Sequence, residues 1–404
     1  MDSLTQIVLG AAAGEVVLGK KIGNRAMLWG AIGGTIPDLD VLGSFFLSEI
    51  DNLAFHRGIS HSILFSIVGA LVFGWIVHQI YKSPYHKWIA TVFKTMAAIL
   101  VGFALNFVAN IFFPGNIIAP FVLAIGLAVL LYFNIKRSYF SDQWEAPEAS
   151  VRNWQWLFFW SLLTHPILDC FTMYGTQLFA PFSDVRVSWA TVSVADPMYT
   201  LPFLICLIIA SRYFRTSNKR RMWNYLGIGL SSCYLLFTVF NKQHINKVYS
   251  DAFEKQGIAV ERYVTNATIF TNILWSATAE TKDHFYIGQY SMFDEVPIEF
   301  AKVDKNHRLL KNINTDPTIA TLKWFSDNYF NVIDLGEKFQ FNDLRFGTFN
   351  GKITKPEDYI FKFYLRDSNK GYKMEEAVGG PPEDDDGENI FVRLFERIKG
   401  KKAF

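Results

Sequence analysis

Three short stretches hold the side chains that could do chemistry in this chain: "TIPDLD" at 35–40, "FHRGISHS" at 55–62 and "HPILD" at 165–169. In the last, His165 and Asp169 stand four residues apart, so a helix puts both on one face, one turn from each other, where they can chelate one ion. Pro166 removes a helix hydrogen bond beside them and opens the turn that aims His165. The same pair could instead pin two helices through a His–Asp hydrogen bond. Asp38 and Asp40 cannot share a helix face at a spacing of two. They are expected on a turn that begins at Pro37, with both carboxylates toward one cavity, and helix N-capping is the alternative for either. His56 and His61 are five apart, which suits His56 in a loop and His61 in the first helical turn after Ser60 as N-cap. Asp196, just before Pro197, reads either as a fourth site carboxylate or as a turn residue that starts a helix.

The elements that position these residues are membrane-like. The 404 residues are 50% hydrophobic and 16% aromatic, and the mean hydropathy is +0.16, too apolar for an ordinary soluble protein and too mixed for spans alone. Of 37 acidic residues, 12 fall in 1–240 and 25 in 241–404, so a membrane half precedes a water-soluble half. Spans of roughly 17–25 apolar residues are expected at 59–81, 88–113, 117–135, 153–179, 198–211 and 222–240, with shorter apolar stretches at 4–19 and 26–36. The first stretch ends in "GKK" and lacks a basic start, unlike a cleavable signal peptide. Basic groups at 20–25, 82–87, 136–152 and 212–221 occupy alternate connections. By the positive-inside rule these face the cytoplasm, which puts "TIPDLD", "FHRGISHS", the end of "HPILDCFTMYGTQLFAPFS" and "ADP" together outside.

After residue 240 the period changes. "HFYIGQYSMF" (284–293) and "DYIFKFYLR" (358–366) alternate as half-buried strands do, and "PTIATLKWFSDNY" (317–329) reads as helical. The fold class expected is therefore mainly α: a polytopic helical membrane domain at 1–240, then a smaller α+β soluble domain at 241–378. An acidic linker and an amphipathic C-terminal helix follow at 379–404, and that helix either docks on the domain or lies on lipid. Cys170, Cys206 and Cys233 sit in apolar runs with no CxxC pair and read as core residues. A formal net charge of +2, with no basic patch interleaved with aromatics, argues against nucleic acid as partner.

Four carboxylates gathered on one membrane face, beside three of the chain's eight histidines, repel one another and lose hydration unless cations offset them. Arg57 and Arg186 are the side-chain cations nearby. Two divalent ions would balance the rest, and a mixed imidazole and carboxylate shell suits zinc, with manganese or iron as alternatives. Such a site lowers the pKa of bound water and stabilises an in-line displacement, so the chemistry implied is hydrolysis. Asp38, Asp40, His61, His165 and Asp169 form the expected catalytic set, with His56 and Asp196 added as metal ligands.

"MDSLTQIVLGAAAGE", "GTIPDLDVL", "HRGISHS" and "HPILDCFTMYGTQLFAPFS" together resemble the YdjM-like family of membrane-bound metal-dependent hydrolases, over roughly residues 1–240. The resemblance implies a multi-pass bacterial inner-membrane protein in which Asp38, Asp40, His56, His61, His165 and Asp169 match the metal-binding pattern. A weaker similarity of the HxxxD element to zinc-dependent phospholipases C implies a phosphoester or lipid substrate. Where relatives carry His, this chain has Gln6, a poor zinc ligand. Glu15, nine residues on, lies across the helix from Gln6, so at most one of them faces the site, and near Lys20 and Lys21 it could snorkel. Asn106 and Asn110 read as interhelical hydrogen-bonding partners, and Thr172 and Tyr174 as aromatic core or substrate-orienting residues. The competing function classes are a transporter with ionisable residues along its path and a metal-stabilised scaffold without catalysis.

Overall fold

The computed structural model describes residues 1–112, 118–139, 147–348, 353, 355–368, 371–376 and 390–400. The expected acidic linker, 379–389, lies outside the described residues.

The first two apolar stretches form helices α1 (Ser3–Ile22) and α2 (Asn24–Thr35), joined by Gly23 at φ 63°. Both carry glycines four apart: Gly10 and Gly14 on α1, Gly30 and Gly34 on α2. A Cβ at Gly10 would lie 2.4 Å from the Gly30 carbonyl oxygen, and one at Gly34 would lie 2.6 Å from the Gln6 carbonyl oxygen. The two backbones touch because no side chain intervenes. A 3₁₀ segment, Pro37–Phe45, continues from α2, and the short helix α3 (Glu49–Phe55) follows.

Helices α4 (Ile63–Lys82), α5 (His86–Phe112), α6 (Ile118–Tyr139) and α7 (Val151–Asp169) come next, then α8 (Pro197–Ser211) and α9 (Asn218–Lys255). Helix α7 ends at Asp169, ten residues short of the expected span, because residues 170–196 leave the helix to build the site loops. Small residues again set the packing: a Cβ at Gly33 would meet Ser161, and one at Gly74 would lie 2.6 Å from the α7 backbone at Gln155. Among the described residues, α4 and α9 are long and apolar enough to cross a membrane, and α8 is a shorter apolar helix. Their outward faces expose Leu64, Ile67, Leu71 and Trp75 on α4 and Leu226, Leu230, Phe237 and Phe240 on α9, surface that lipid rather than water would cover.

Helix α9 runs through residue 240 without a break. At 38 residues it is about 57 Å long, and the exposed apolar face stops at Phe240. Beyond it Ile245, Tyr249 and Phe253 pack under the first of two sheets. That sheet is an antiparallel meander of β1 (Arg262–Ala267), β2 (Leu274–Glu280), β3 (His284–Ser291) and β4 (Phe300–Asp304). Helix α10 (Pro317–Phe325) leads to a second meander of β5 (Phe330–Asp334), β6 (Phe339–Asp343), β7 (Lys362–Ser368) and β8 (Gly371–Glu376). Ile319, Leu322 and Phe325 of α10 share a core with Phe341 and Phe363, and Leu53 of α3 completes it, with Ile50 and Tyr174 packed alongside. The second sheet is thereby seated on the loops that hold the polar motifs. Helix α11 (Ile390–Ile398) docks on the end of the first sheet, where Arg397 makes two 2.6 Å bonds to Asp294, while Val392 and Phe395 stay exposed. Cys170 and Cys206 are buried as expected, but Cys233 is exposed on the apolar face of α9.

Candidate metal centre

Asp38, His61, His165 and Asp169 each offer one ligand atom, and the four atoms lie within 4.8 Å of one another. The Nε2 atoms of His61 and His165 are 3.1 Å apart, and each stands 3.4–3.5 Å from Asp38 Oδ1 and 3.4 Å from Asp169 Oδ2. Ligands at ~2.0–2.1 Å around a tetrahedral ion are separated by about 3.3–3.4 Å. These five separations have that size.

What lies behind the imidazoles decides which atoms face inward. His165 Nδ1 is 2.6 Å from the carbonyl oxygen of Gly34; a carbonyl only accepts, so Nδ1 carries the proton and Nε2 presents a lone pair. His61 Nδ1 faces Asp40 Oδ2 at 3.3 Å and the Ser60 hydroxyl at 3.0 Å, which fixes the same tautomer. Two lone pairs and two carboxylate oxygens then point at one spot, an arrangement that a bound cation would stabilise. Asp169 Oδ2 is buried without a hydrogen bond, facing Arg57 and both imidazoles at 3.4 Å, and a metal would satisfy such an oxygen. The residues present fit a divalent ion.

Each ligand is placed by a local device. The α1–α2 glycine contact brings the Gly34 carbonyl to His165. Asp169 is the last residue of α7, one turn after His165. Its Oδ1 accepts from Gln6 Nε2 at 3.0 Å and pairs with the Met1 amino group. His61 ends a 3₁₀ turn, Ile59–His61, and Ser62 rather than Ser60 caps α4, accepting from Phe65 N at 3.0 Å. Ser60 is drawn away because its hydroxyl donates to Asp40 Oδ2 at 3.1 Å. Asp38 is the most open of the four, with a side chain 28% exposed against 0–1% for the others.

The remaining sequence candidates stand elsewhere. Asp40 lies one layer behind the donors: it accepts from His56 Nδ1 at 2.9 Å and Arg57 N at 2.9 Å in addition to Ser60 and His61. Burial would raise its carboxyl, but the imidazoles of His56 and His61 hold it well below the ordinary carboxylate range. His56 is a half-exposed ring oriented by Asp40 and set edge-on to Tyr174, outside the four-atom group. Asp196 is the N-cap of α8, accepting from Met198 N at 2.9 Å and from the Tyr234 hydroxyl at 2.7 Å. Its pairing with α8 and α9 removes it from the metal set, so the described residues gather one group of donors rather than ligands for two ions. Glu15 does not snorkel; it is buried against Arg220 in a two-bond pair at 2.5 and 2.6 Å. Gln6 faces the site but supports Asp169 instead of joining the donors.

Arg57 faces Asp169 Oδ2 at 3.4 Å and donates through Nη1 to Thr172 at 2.8 Å. Arg186 stacks on Tyr174, Trp324 and Phe325 and donates to the carbonyls of Tyr174, Gly175 and His56. Tyr174 is therefore core, packed 5.1 Å from Phe325. The side chains of Asn106 and Asn110 lie outside the described residues.

Sequence reasoning missed the Gly34 carbonyl and the α1–α2 contact that delivers it. The paired GxxxG spacings at 10/14 and 30/34 were the available signal.

Residues 1–245 match the family described as YdjM inner membrane protein. The chain belongs to that family. Its match ends inside α9, so the two sheets and α11 lie beyond it. No curated protein and no solved structure matches the chain.

Proposed function

We propose that this YdjM-family protein is a polytopic inner-membrane hydrolase that uses a divalent metal, zinc first, held by Asp38, His61, His165 and Asp169, to cleave a phosphoester, with a lipid-linked substrate preferred. The observation that carries the reading is the inward convergence of two Nε2 lone pairs and two carboxylate oxygens at metal spacing. A bound divalent ion would supply Lewis acidity and an acidified water. Asp38, on the open side, faces incoming substrate. His56, oriented by Asp40 and partly exposed, is placed to carry a proton between the site and solvent.

The preference for lipid rests on the 3₁₀ segment that bears Asp38 and Asp40, which exposes Leu39, Val41, Leu42 and Phe45, with Phe46 following at 88% exposed. Beside a metal site, such a surface suits the acyl region of a leaflet. The donors also cluster at one end of the helices, whereas Lys21, Arg215 and Arg220 bond to Asn153, the Lys21 carbonyl and Asn24 at the other. That supports a surface reaction over a transport path, and the positive-inside rule then puts the site and both sheets outside the cytoplasm.

Four protein ligands are also the number found in closed structural metal sites, which keeps a second reading, a metal-stabilised scaffold. One experiment separates them: metal content of the detergent-purified chain together with hydrolysis of a chromogenic phosphodiester and of phospholipid vesicles, in wild type, His165→Ala and His56→Ala. The hydrolase reading expects about one metal per chain and measurable turnover. His165→Ala should lose both, and His56→Ala should lose turnover while keeping metal. Metal retained with no turnover on any phosphoester would favour the scaffold.

A further inference from the structure

Residue 57 sits at φ 56°, a left-handed conformation that glycine adopts freely and an arginine does not. Both backbone groups are committed there: its N–H donates to Asp40 Oδ2 at 2.9 Å, and its carbonyl accepts from Gln177 N at 3.0 Å. Neither bond uses the side chain, so the loop itself would be better served by glycine. The chain instead keeps a guanidinium that is 5% exposed. It lies 5.0 Å from the centre of the Tyr174 ring and donates once to Thr172. Its Nε faces a donor atom of the metal group at 3.4 Å yet has no hydrogen-bond partner. Strain held at one position beside a reactive group marks function more often than folding.

The charges say what the free donor awaits. The carboxylates of Asp38, Asp40 and Asp169 are offset by the Arg57 guanidinium, which faces Asp169, by the Met1 amino group on the same carboxylate and by Arg186 nearby, so a divalent ion among the four donors leaves the surroundings with a net positive charge. A filled site therefore calls for an anion. A guanidinium with an unused N–H suits a phosphoryl oxygen, which accepts from such forks.

Resting on the hydrolase reading, we propose that Arg57 is the anion-binding residue of this site: it takes a phosphoryl oxygen of the substrate through its unpartnered Nε, and only once the metal is in place. Thr172 and Tyr174 hold the guanidinium in position. The phosphoryl group could come from free phosphate or from a lipid headgroup.

The test uses the full chain in detergent, with metal content measured separately from anion binding. Calorimetric titrations with inorganic phosphate and with phosphatidic acid in mixed micelles would compare metal-loaded and metal-stripped wild type, Arg57→Gly and Arg57→Lys. Expected are binding of at least one of the two probes by loaded wild type and at least tenfold weaker binding after stripping. Arg57→Gly should keep full metal occupancy and an equal or higher Tm, with binding at least thirtyfold weaker; Arg57→Lys should fall between. Binding of phosphatidic acid alone assigns the anion to a lipid headgroup, and binding of both assigns it to the phosphoryl group as such. Loaded wild type that binds neither probe overturns the proposal, as does Arg57→Gly binding within twofold of wild type. Loss of metal in Arg57→Gly also overturns it, because Arg57 would then be a charge partner of Asp169. Wild type that takes up no metal overturns the hydrolase reading, and this proposal with it.

Discussion

At the scale of single residues, the site separates carboxylates that look alike. Asp38 and Asp169 present oxygens to a common point, Asp40 organises the imidazoles, and Asp196 caps a helix. Asp196→Ala should therefore leave metal content unchanged and cost about 0.5–2 kcal/mol, the range for losing an N-cap, read as a lower Tm of the purified protein. Acid should act in two stages. Imidazole ligands bind metal as the neutral base, so protons displace the metal as the pH falls. Asp40 is a carboxyl held low in the folded state, so its stabilisation is complete above about pH 4 and is lost only as pH falls through its folded value. Metal release first, with loop structure intact until below about pH 4, is the expected order. Simultaneous loss of metal and structure in a combined metal and circular-dichroism titration would contradict it.

Among the elements, the contact of α1 with α2 governs the candidate ligand His165 although neither helix contributes a donor atom. A side chain at Gly30 would press on the Gly10 carbonyl, since a Cβ there would lie 2.2 Å from its oxygen. Gly30→Val should part the helices, carry the Gly34 carbonyl away from His165 and free the imidazole to turn. The cost should be at least the ~1–3 kcal/mol typical of overpacking, with metal affinity reduced at least tenfold, measured by competition with a chelating dye. A variant with unchanged affinity would show that His165 keeps its tautomer without the carbonyl. The buried Glu15–Arg220 pair is a different device at the far end of α1. It ties α1 to α9 and has no part in the donor group.

For the whole molecule, α9 is the rod that links the apolar helices to the first sheet, and the second sheet closes onto α3 and Tyr174. That seating gives α10 and the second sheet a place against α3 and Tyr174, beside the loops that hold the polar motifs. The orientation proposed above, with the basic end toward the cytoplasm, has a direct test. A topology reporter fused after Arg137 should give a cytoplasmic signal, and one fused after Gln256 an extracytoplasmic signal. A cytoplasmic signal at Gln256 would reverse the whole assignment.

Much of this protein was legible in its amino-acid order, because helical spacing and charge alternation are local properties. His165 and Asp169 share a face by their spacing of four, strands β3 and β7 show in their two-residue alternation, and the apolar stretches at 4–19 and 26–36 become α1 and α2. Tertiary structure alone decided the rest. Asp40 and Asp38 are equivalent by spacing, yet one backs His61 and the other converges with it on the common donor point, because the 3₁₀ turn rotates them to different sides. Asp196 left the metal set because Tyr234, 38 residues away, completes its hydrogen bonds, and Glu15 left the surface because Arg220, 205 residues away, balances its charge. A side chain's partner across such distances, like the backbone carbonyl that orients His165, is set by how the helices pack, and no local pattern carries it.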